Sequence, residues 1–277
     1  MAASLLAVDL DGTLLARTGE PHEVDVVALR AARRAGVVVT IITGRLFPGT
    51  IAAAQRLGLD DAVGCADGSH LVHVDGQTLE HAALVGDHAA LIRRELEARP
   101  MRTFVFARDT IVHDEEGAPF LDYVKTWSPR FEQTRRVLDH HAWEHDHGVT
   151  AVVGLAEEQH VSSLVGAIES RLAQVAQIIS FPLGKTGLWG FITRARTTDK
   201  GTALHYLARR AGVPEAQTVA VGDWLNDVPM FRAAGRSFSM GQAPAEVKAA
   251  ATTVLAETAE TGGGIATVVR EVFGVRF

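Results

Sequence analysis

The chain has 277 residues, 47% hydrophobic and 22% charged, with a net charge of -6 and a single cysteine, Cys65. That length allows one large domain or two modest ones, and the composition is that of a soluble globular protein. Interspersed charges leave no nucleic-acid footprint, one cysteine excludes an internal disulfide framework and fits a reducing compartment, and no stretch approaches the ~18 uncharged apolar residues of a membrane span. The opening run MAASLLAV lacks a basic leader and is cut by Asp9, so it reads as a first core strand over residues 4–9 and places the protein in the cytoplasm.

Residues 23–35 carry apolar positions at helical spacing and stop at Gly36. A second strand is predicted over 37–42, a helix over 48–57 with Pro48 near its start, and a short strand over 62–65. The run LVHVDGQTLE then predicts a hairpin turning at Asp75-Gly76. From there to about residue 193 the texture changes. A helix over 84–98 precedes the runs RTFVFA and TIVHD, a loop-rich stretch, VTAVVGLA, a helix over 158–174, and the strands AQIISFPL and LWGFITR. Helix followed by paired strands occurs twice, which predicts a small α+β domain with an antiparallel sheet. The strand–helix alternation then resumes: helix 201–211, strand 218–222, helix 227–234, strand 236–240, helix 245–251, strand 252–255 and helix 263–273. The expected fold is α/β, a doubly wound parallel sheet with a Rossmann-like core over 1–83 and 194–277, interrupted by an inserted α+β domain over 84–193.

Three of the apolar runs end in groups that carry chemistry. LLAV leads to Asp9-Leu10-Asp11-Gly12-Thr13, VVVTII to Thr43-Gly44-Arg45, and TVAV to Gly222-Asp223 followed by Asn226-Asp227. Such runs read as buried parallel strands, whose C-terminal ends share the rim where open α/β sheets place ligands. A carboxylate at that rim is a competent nucleophile toward phosphorus, and a second one two residues on can protonate a leaving oxygen and later deprotonate water. Taken alone, the Asp9/Asp11 pair also fits a turn-forming pair after a strand, and Thr43 fits a plain helix cap. Lys200 would open a helix, where its charge opposes the helix dipole; pairing with Asp9 and a phosphoryl group would compensate, whereas a lone lysine is ordinarily solvated. Asp223 and Asp227 would approach Asp9 and Asp11 if their strands are neighbours, and four converging carboxylates call for a hard divalent cation such as Mg²⁺.

The order DLDGT, TGR, DKG and GDWLND resembles the four motifs of the haloacid dehalogenase-like hydrolases. The long insertion and the tail GDWLNDVPMFRAAGRSFSMGQAPAEVKAAATTV resemble the Cof-type branch of sugar-phosphate phosphatases, over residues 4–83 and 195–273. The resemblance implies Asp9 as nucleophile, Asp11 as acid/base, and Thr43, Gly44, Lys200 and Asn226 around the phosphoryl group. It further implies Mg²⁺ held by Asp9, the Asp11 carbonyl and Asp223, with Asn226 and Asp227 in support, and the insertion as a cap. The expected substrate is a small phosphorylated metabolite, with Arg45 and Asp67 as candidates for touching it. Related sequences usually carry Asn-Gly-Ala where this chain has Asp67-Gly68-Ser69; the extra carboxylate fits either substrate selection or a simple turn. A sugar phosphomutase shares the phosphoaspartate, and Arg102, Arg194 and Arg196 could supply its second phosphate clamp. A dehalogenase fits less well, and a non-enzymatic binding module would not need every motif. His140, His141, His145 and His147 read as surface histidines rather than a zinc site, Cys65 as buried, and Trp189 and Phe191 as core. Oligomeric state leaves no mark in the sequence.

Overall fold

The computed structural model describes residues 4–144, 148–184 and 186–277. The first stretch contains β1 (Leu5–Val8), α1 (Glu23–Arg34), β2 (Val38–Ile41), α2 (Phe47–Leu57), β3 (Ala62–Cys65), β4 (His70–His73) and β5 (Thr78–His81). α3 (Gly86–Glu97), β6 (Arg102–Ala107), β7 (Thr110–His113), β8 (Phe131–Gln133), β9 (Ala151–Ala156), α4 (Glu158–Leu172), β10 (Ala176–Pro182) and β11 (Trp189–Ala195) follow. The chain closes with α5 (Lys200–Arg210), β12 (Thr218–Gly222), α6 (Val228–Ala233), β13 (Arg236–Ser239), α7 (Ala245–Ala250), β14 (Thr253–Val254) and α8 (Gly264–Phe273).

Two compact units divide these elements. One comprises Met1–Gly44, Thr50–Leu79 and Thr198–Phe277; the other comprises Arg45–Gly49 and Glu80–Thr197. The cuts fall about four residues away from those read off the sequence. The short piece Arg45–Gly49 joins the second unit, where the Leu46 amide donates to the Trp127 carbonyl at 2.7 Å.

The first unit is built on a five-stranded, fully parallel sheet ordered β14-β13-β12-β1-β2. β1 is buried along its whole length, which explains why its sequence is apolar without alternation. α1 buries Val26, Ala28, Leu29, Ala31 and Ala32, and it carries acids in its first turn and arginines in its last, as the helix dipole favours. Leu204, Leu207 and Ala208 of α5 pack with Leu5, Ala7, Ala220 and Phe231 in a core on this sheet.

β3 departs from the simple alternation. A single parallel bridge, Ile42 to Gly64, ties it to the end of β2, and its regular partner is antiparallel β4. β3, β4 and β5 form a separate three-stranded sheet that includes the hairpin at Asp75-Gly76. Cys65 is buried at the end of β3.

The second unit holds a six-stranded sheet ordered β10-β11-β9-β6-β7-β8, antiparallel except where β8 runs parallel to β7. Ile92 and Leu96 of α3 and Leu164 and Ile168 of α4 share a core with Val105, Val112 and Val152. Phe191 is fully buried in that core and Trp189 packs against it. Of the histidine cluster, His140 is buried and its Nε2 lies 3.1 Å from Glu132 Oε1, with its ring against His141; His145 and His147 lie outside the described residues. Among the described residues, no helix is long and apolar enough to cross a membrane.

Candidate active site

β1, β2 and β12 are adjacent and parallel, so the segments that follow them emerge from the same edge. The Asp9 amide donates to the Val221 carbonyl at 3.0 Å, which continues the β1–β12 ladder and sets Asp9 beside the turn that carries Asp223. Gly12 then turns with φ of +79°, and a Cβ there would lie 2.3 Å from an Asp223 carboxylate oxygen. Only glycine therefore lets the turn after β1 approach the turn after β12 so closely. Gly222 serves the same end, since a Cβ on it would meet the Asp227 carboxylate at 2.4 Å.

Asp9, Asp223 and Asp227 are all buried, and each offers an oxygen lying within 4.8 Å of the others. Lys200, 1% exposed, reaches into this group. Its Nζ donates to Asp9 Oδ1 and to Asp227 Oδ1, both at 2.6 Å, and stands 4.0 Å from Asp67 Oδ1. The cost of a lysine in the first turn of α5 is met locally too: Asp199 caps the helix, accepting from the Thr202 amide at 2.7 Å. The remaining Asp227 oxygen accepts from the Asp223 and Trp224 amides at 2.8 and 3.0 Å, which locks the turn after β12.

Charge in the cluster is unbalanced. Burial works against the Lys200 charge, but Asp227, Asp9 and Asp67 outweigh it and hold the ammonium above its ordinary range. Burial raises the Asp9 carboxyl well above the usual carboxylate range; Asp227 and Asp223 add to this and Lys200 opposes it. Burial, reinforced by Asp227, pushes Asp223 up to about 6, against hydrogen bonds from Gln242 and Thr13. With all three triad carboxyls ionised, the triad and Lys200 together carry two net negative charges, which a divalent cation would neutralise. The donor set fits such an ion, since all three side chains present hard oxygens and, among the described residues, no sulfur or imidazole joins them.

The other sequence-predicted residues fall into place unevenly. Asp11 follows Asp9 on the exposed side of the turn, and its carboxylate is not part of the cluster. Thr43 is buried at the end of β2, its amide bonded to the Gly64 carbonyl and its carbonyl to the Asp67 amide, each at 2.9 Å. Asn226, expected at the phosphoryl group, donates from Nδ2 to Asp67 Oδ1 at 2.7 Å. Asp67 is buried and sits in left-handed backbone (φ 51°), as does Ala66 before it (φ 49°). Aspartate adopts that region more readily than most residues and alanine does not, so the strain of the turn falls on Ala66 where the chain passes the cluster. Arg45 belongs to the second unit and donates to the Gly49 carbonyl at 3.2 Å.

Two participants escaped the sequence reading. Thr13 donates from Oγ1 to Asp223 Oδ1 at 3.2 Å, and Gln242 donates from Nε2 to Asp223 Oδ2 at 3.2 Å. Thr13 stood inside DLDGT without a role assigned to it. Gln242 lies in the loop after β13, where nothing in the residue pattern singles it out.

A sequence profile of haloacid dehalogenase-like hydrolases matches residues 6–269. Among curated proteins, phosphatase YwpJ of Bacillus subtilis is 28% identical, the alignment covering 93% of this chain and 96% of that one. A phosphoglycolate phosphatase of Pyrobaculum aerophilum is 31% identical over 92% of this chain and 90% of its own length. Among solved structures, a haloacid dehalogenase-like hydrolase from Bacteroides thetaiotaomicron superposes with a TM-score of 0.82 at 18% identity, covering 98% of this chain and 100% of that one. With its fold shared by Cof-like members and its relatives named as phosphatases, the chain belongs to the haloacid dehalogenase-like hydrolase family and is a phosphatase.

Proposed function

We propose that the chain is a Mg²⁺-dependent phosphomonoester hydrolase that works through an aspartyl-phosphate on Asp9. The observation that carries the reading is the buried triad Asp9, Asp223 and Asp227 with Lys200 bonded to two of its members. Asp9, Asp223 and the Asp11 carbonyl would hold the cation, with Asp227 fixing the turn. When bound, Mg²⁺ offsets charge on the carboxylates and on the phosphoryl oxygens. Asp9 attacks phosphorus while the bond to the leaving oxygen breaks, and Asp11 gives that oxygen its proton. A water then attacks the acyl phosphate, losing its proton to Asp11, and phosphate leaves with Asp9 restored. Asp11 suits both tasks because it sits outside the triad and is exposed, where it can exchange its proton with substrate and water.

Lys200 holds Asp9 in place and adds positive charge where the transferring group develops negative charge. Thr43 and Gly44 offer a hydroxyl and an amide at the end of β2 for the phosphoryl oxygens. Asn226 joins them through Asp67, and Arg45 and Asp67 are the first residues to test for contact with the leaving group. The second unit acts as a cap that sets specificity, and the substrate is a small phosphorylated metabolite, with sugar phosphates first among the classes to try. Phosphoglycolate, for which several relatives are named, belongs in the same panel.

Phosphate release from such a panel, with Mg²⁺ and with EDTA, tests the proposal. Turnover should require Mg²⁺ and vanish in Asp9→Asn with the fold intact. Retention of more than about a hundredth of the activity by that variant would overturn the nucleophile. Isomer interconversion of a bisphosphorylated sugar without phosphate release would instead identify a phosphomutase.

A further inference from the structure

We infer that Gln242 is a positioning residue for the metal site, an uncharged clamp that sets the orientation of Asp223. The inference rests on the metal-dependent reading above. Gln242 Nε2 donates to the Gly12 carbonyl at 2.5 Å and to Asp223 Oδ2 at 3.2 Å. Its Oε1 accepts from the Ala259 amide at 3.1 Å, which fixes the amide from behind. One side chain thus ties together the turn after β1, the turn after β12 and the segment leading to α8.

The chemistry of the donor matters. Asp223 accepts from Thr13 at one oxygen and from Gln242 at the other, so both of its oxygens are oriented by neutral groups. A lysine or arginine in the place of Gln242 would also orient the carboxylate, but it would cancel the charge that a dication needs. An amide directs the carboxylate and leaves its charge intact, which is how partners behind a ligating carboxylate tune affinity. Gln242 also reaches the carbonyl of Gly12, next in the chain to the Asp11 carbonyl assigned to the cation. It therefore restrains both sides of the site from a position that is itself exposed.

Exposure makes substitution tolerable. Gln242→Met keeps the length and removes both donor and acceptor; Gln242→Ser is too short to reach either partner. Mg²⁺ affinity is measured without substrate, by calorimetry and by the metal-induced rise in melting temperature. Both variants should bind Mg²⁺ about tenfold more weakly than the parent. At saturating Mg²⁺ their KM for substrate should stay within about twofold, so that activity is recovered by added metal. A purely structural role would lower the melting temperature in EDTA and leave the Mg²⁺ dissociation constant unchanged. An unchanged constant in both variants overturns the inference. A parent protein that binds no Mg²⁺ overturns the metal-dependent reading itself, so the two failures are distinct.

Discussion

Lys200 and Asp9, 191 positions apart in the chain, meet as a buried ion pair at 2.6 Å. The same ammonium holds Asp227 at the same distance, so it is shared between the strand that starts the fold and the turn after β12. Lys200→Met leaves those carboxylates without their common cation. Removing one partner of a buried pair costs about 3–5 kcal/mol. Losing a fixed positive group at the phosphoryl site should cost about 10²–10³-fold in kcat. Denaturant unfolding in EDTA and in Mg²⁺ checks the first figure, and Mg²⁺ should restore part of the loss. A variant as stable as the parent in EDTA would show that the pair contributes nothing to the fold.

The pH dependence of metal binding follows from Asp223. Its folded carboxyl titrates near 6, above the unfolded value of 3.8, because burial and Asp227 disfavour the charged form. A group raised in this way favours the folded state at low pH, and that contribution is lost as pH rises through about 6. Without metal, this site therefore weakens the fold between about pH 4 and pH 6. A cation binds the ionised form, so each pH unit below the folded value should cost about tenfold in affinity through this group. Melting curves at pH 5 and pH 7.5 should show a larger Mg²⁺-induced rise at the higher value. An equal or larger rise at pH 5 would contradict the assignment of Asp223.

Asp67 is a buried carboxylate added to a site already rich in them, and it occupies left-handed backbone. Asp67→Asn keeps an acceptor for the Asn226 amide and removes one negative charge. Asparagine also tolerates the left-handed region better than most residues. In EDTA at pH 7.5 the variant should be more stable than the parent, by about 1 kcal/mol. Lower stability would mean that the charge of Asp67, through Lys200, supports the turn.

The rim of the sheet was legible because each of its strands announces itself. LLAV, VVVTII and TVAV are apolar without alternation, and the groups at their ends are polar and closely spaced. What pairing decides was not legible. β8 is three exposed residues, Phe-Glu-Gln, whose strand character comes from its partner β7 and not from its own pattern. β3 reads as one more strand of the parallel sheet, yet the hairpin behind it offers a longer antiparallel partner than the edge of β2 does. The bond from Lys200 to Asp227 depends on how the turn after β12 closes, and the amides of Asp223 and Trp224 close it. Gln242 acts through the Gly12 carbonyl and one carboxylate oxygen, contacts that residue types alone do not encode.

Away from the site, Asp25 couples the two ends of the chain. Its side chain is buried in the first turn of α1, and it accepts from the amide of Gly263, just before α8, and from that of Ala266 in its first turn, both at 2.8 Å. Gly263 has no side chain to cap its own helix, so Asp25 supplies the cap from 241 residues away. Asp25→Ala orphans two amides that bond to a charged acceptor, at a cost of about 2–4 kcal/mol. Hydrogen exchange should show α8 opening more readily than β1 or β12. A loss below about half a kcal/mol would mean that water replaces the carboxylate as the cap.

Asp11 offers the sharpest test of the two-step reaction, because the proposal gives it a different task in each step. Its exposed carboxylate protonates the leaving oxygen and then takes a proton from water. An asparagine can do neither. A leaving group that needs no proton, such as 4-nitrophenolate, should still depart when Asp9 of the Asp11→Asn variant attacks, whereas an alkoxide should not. With 4-nitrophenyl phosphate and Mg²⁺, the variant should release about one equivalent of nitrophenol in a burst and then turn over slowly. Acid quenching within the burst should trap phosphate on the protein, lost on treatment with hydroxylamine, as expected of an acyl phosphate. A linear time course without trapped phosphate would mean that water attacks the substrate directly, and Asp9 would then be a metal ligand and not a nucleophile.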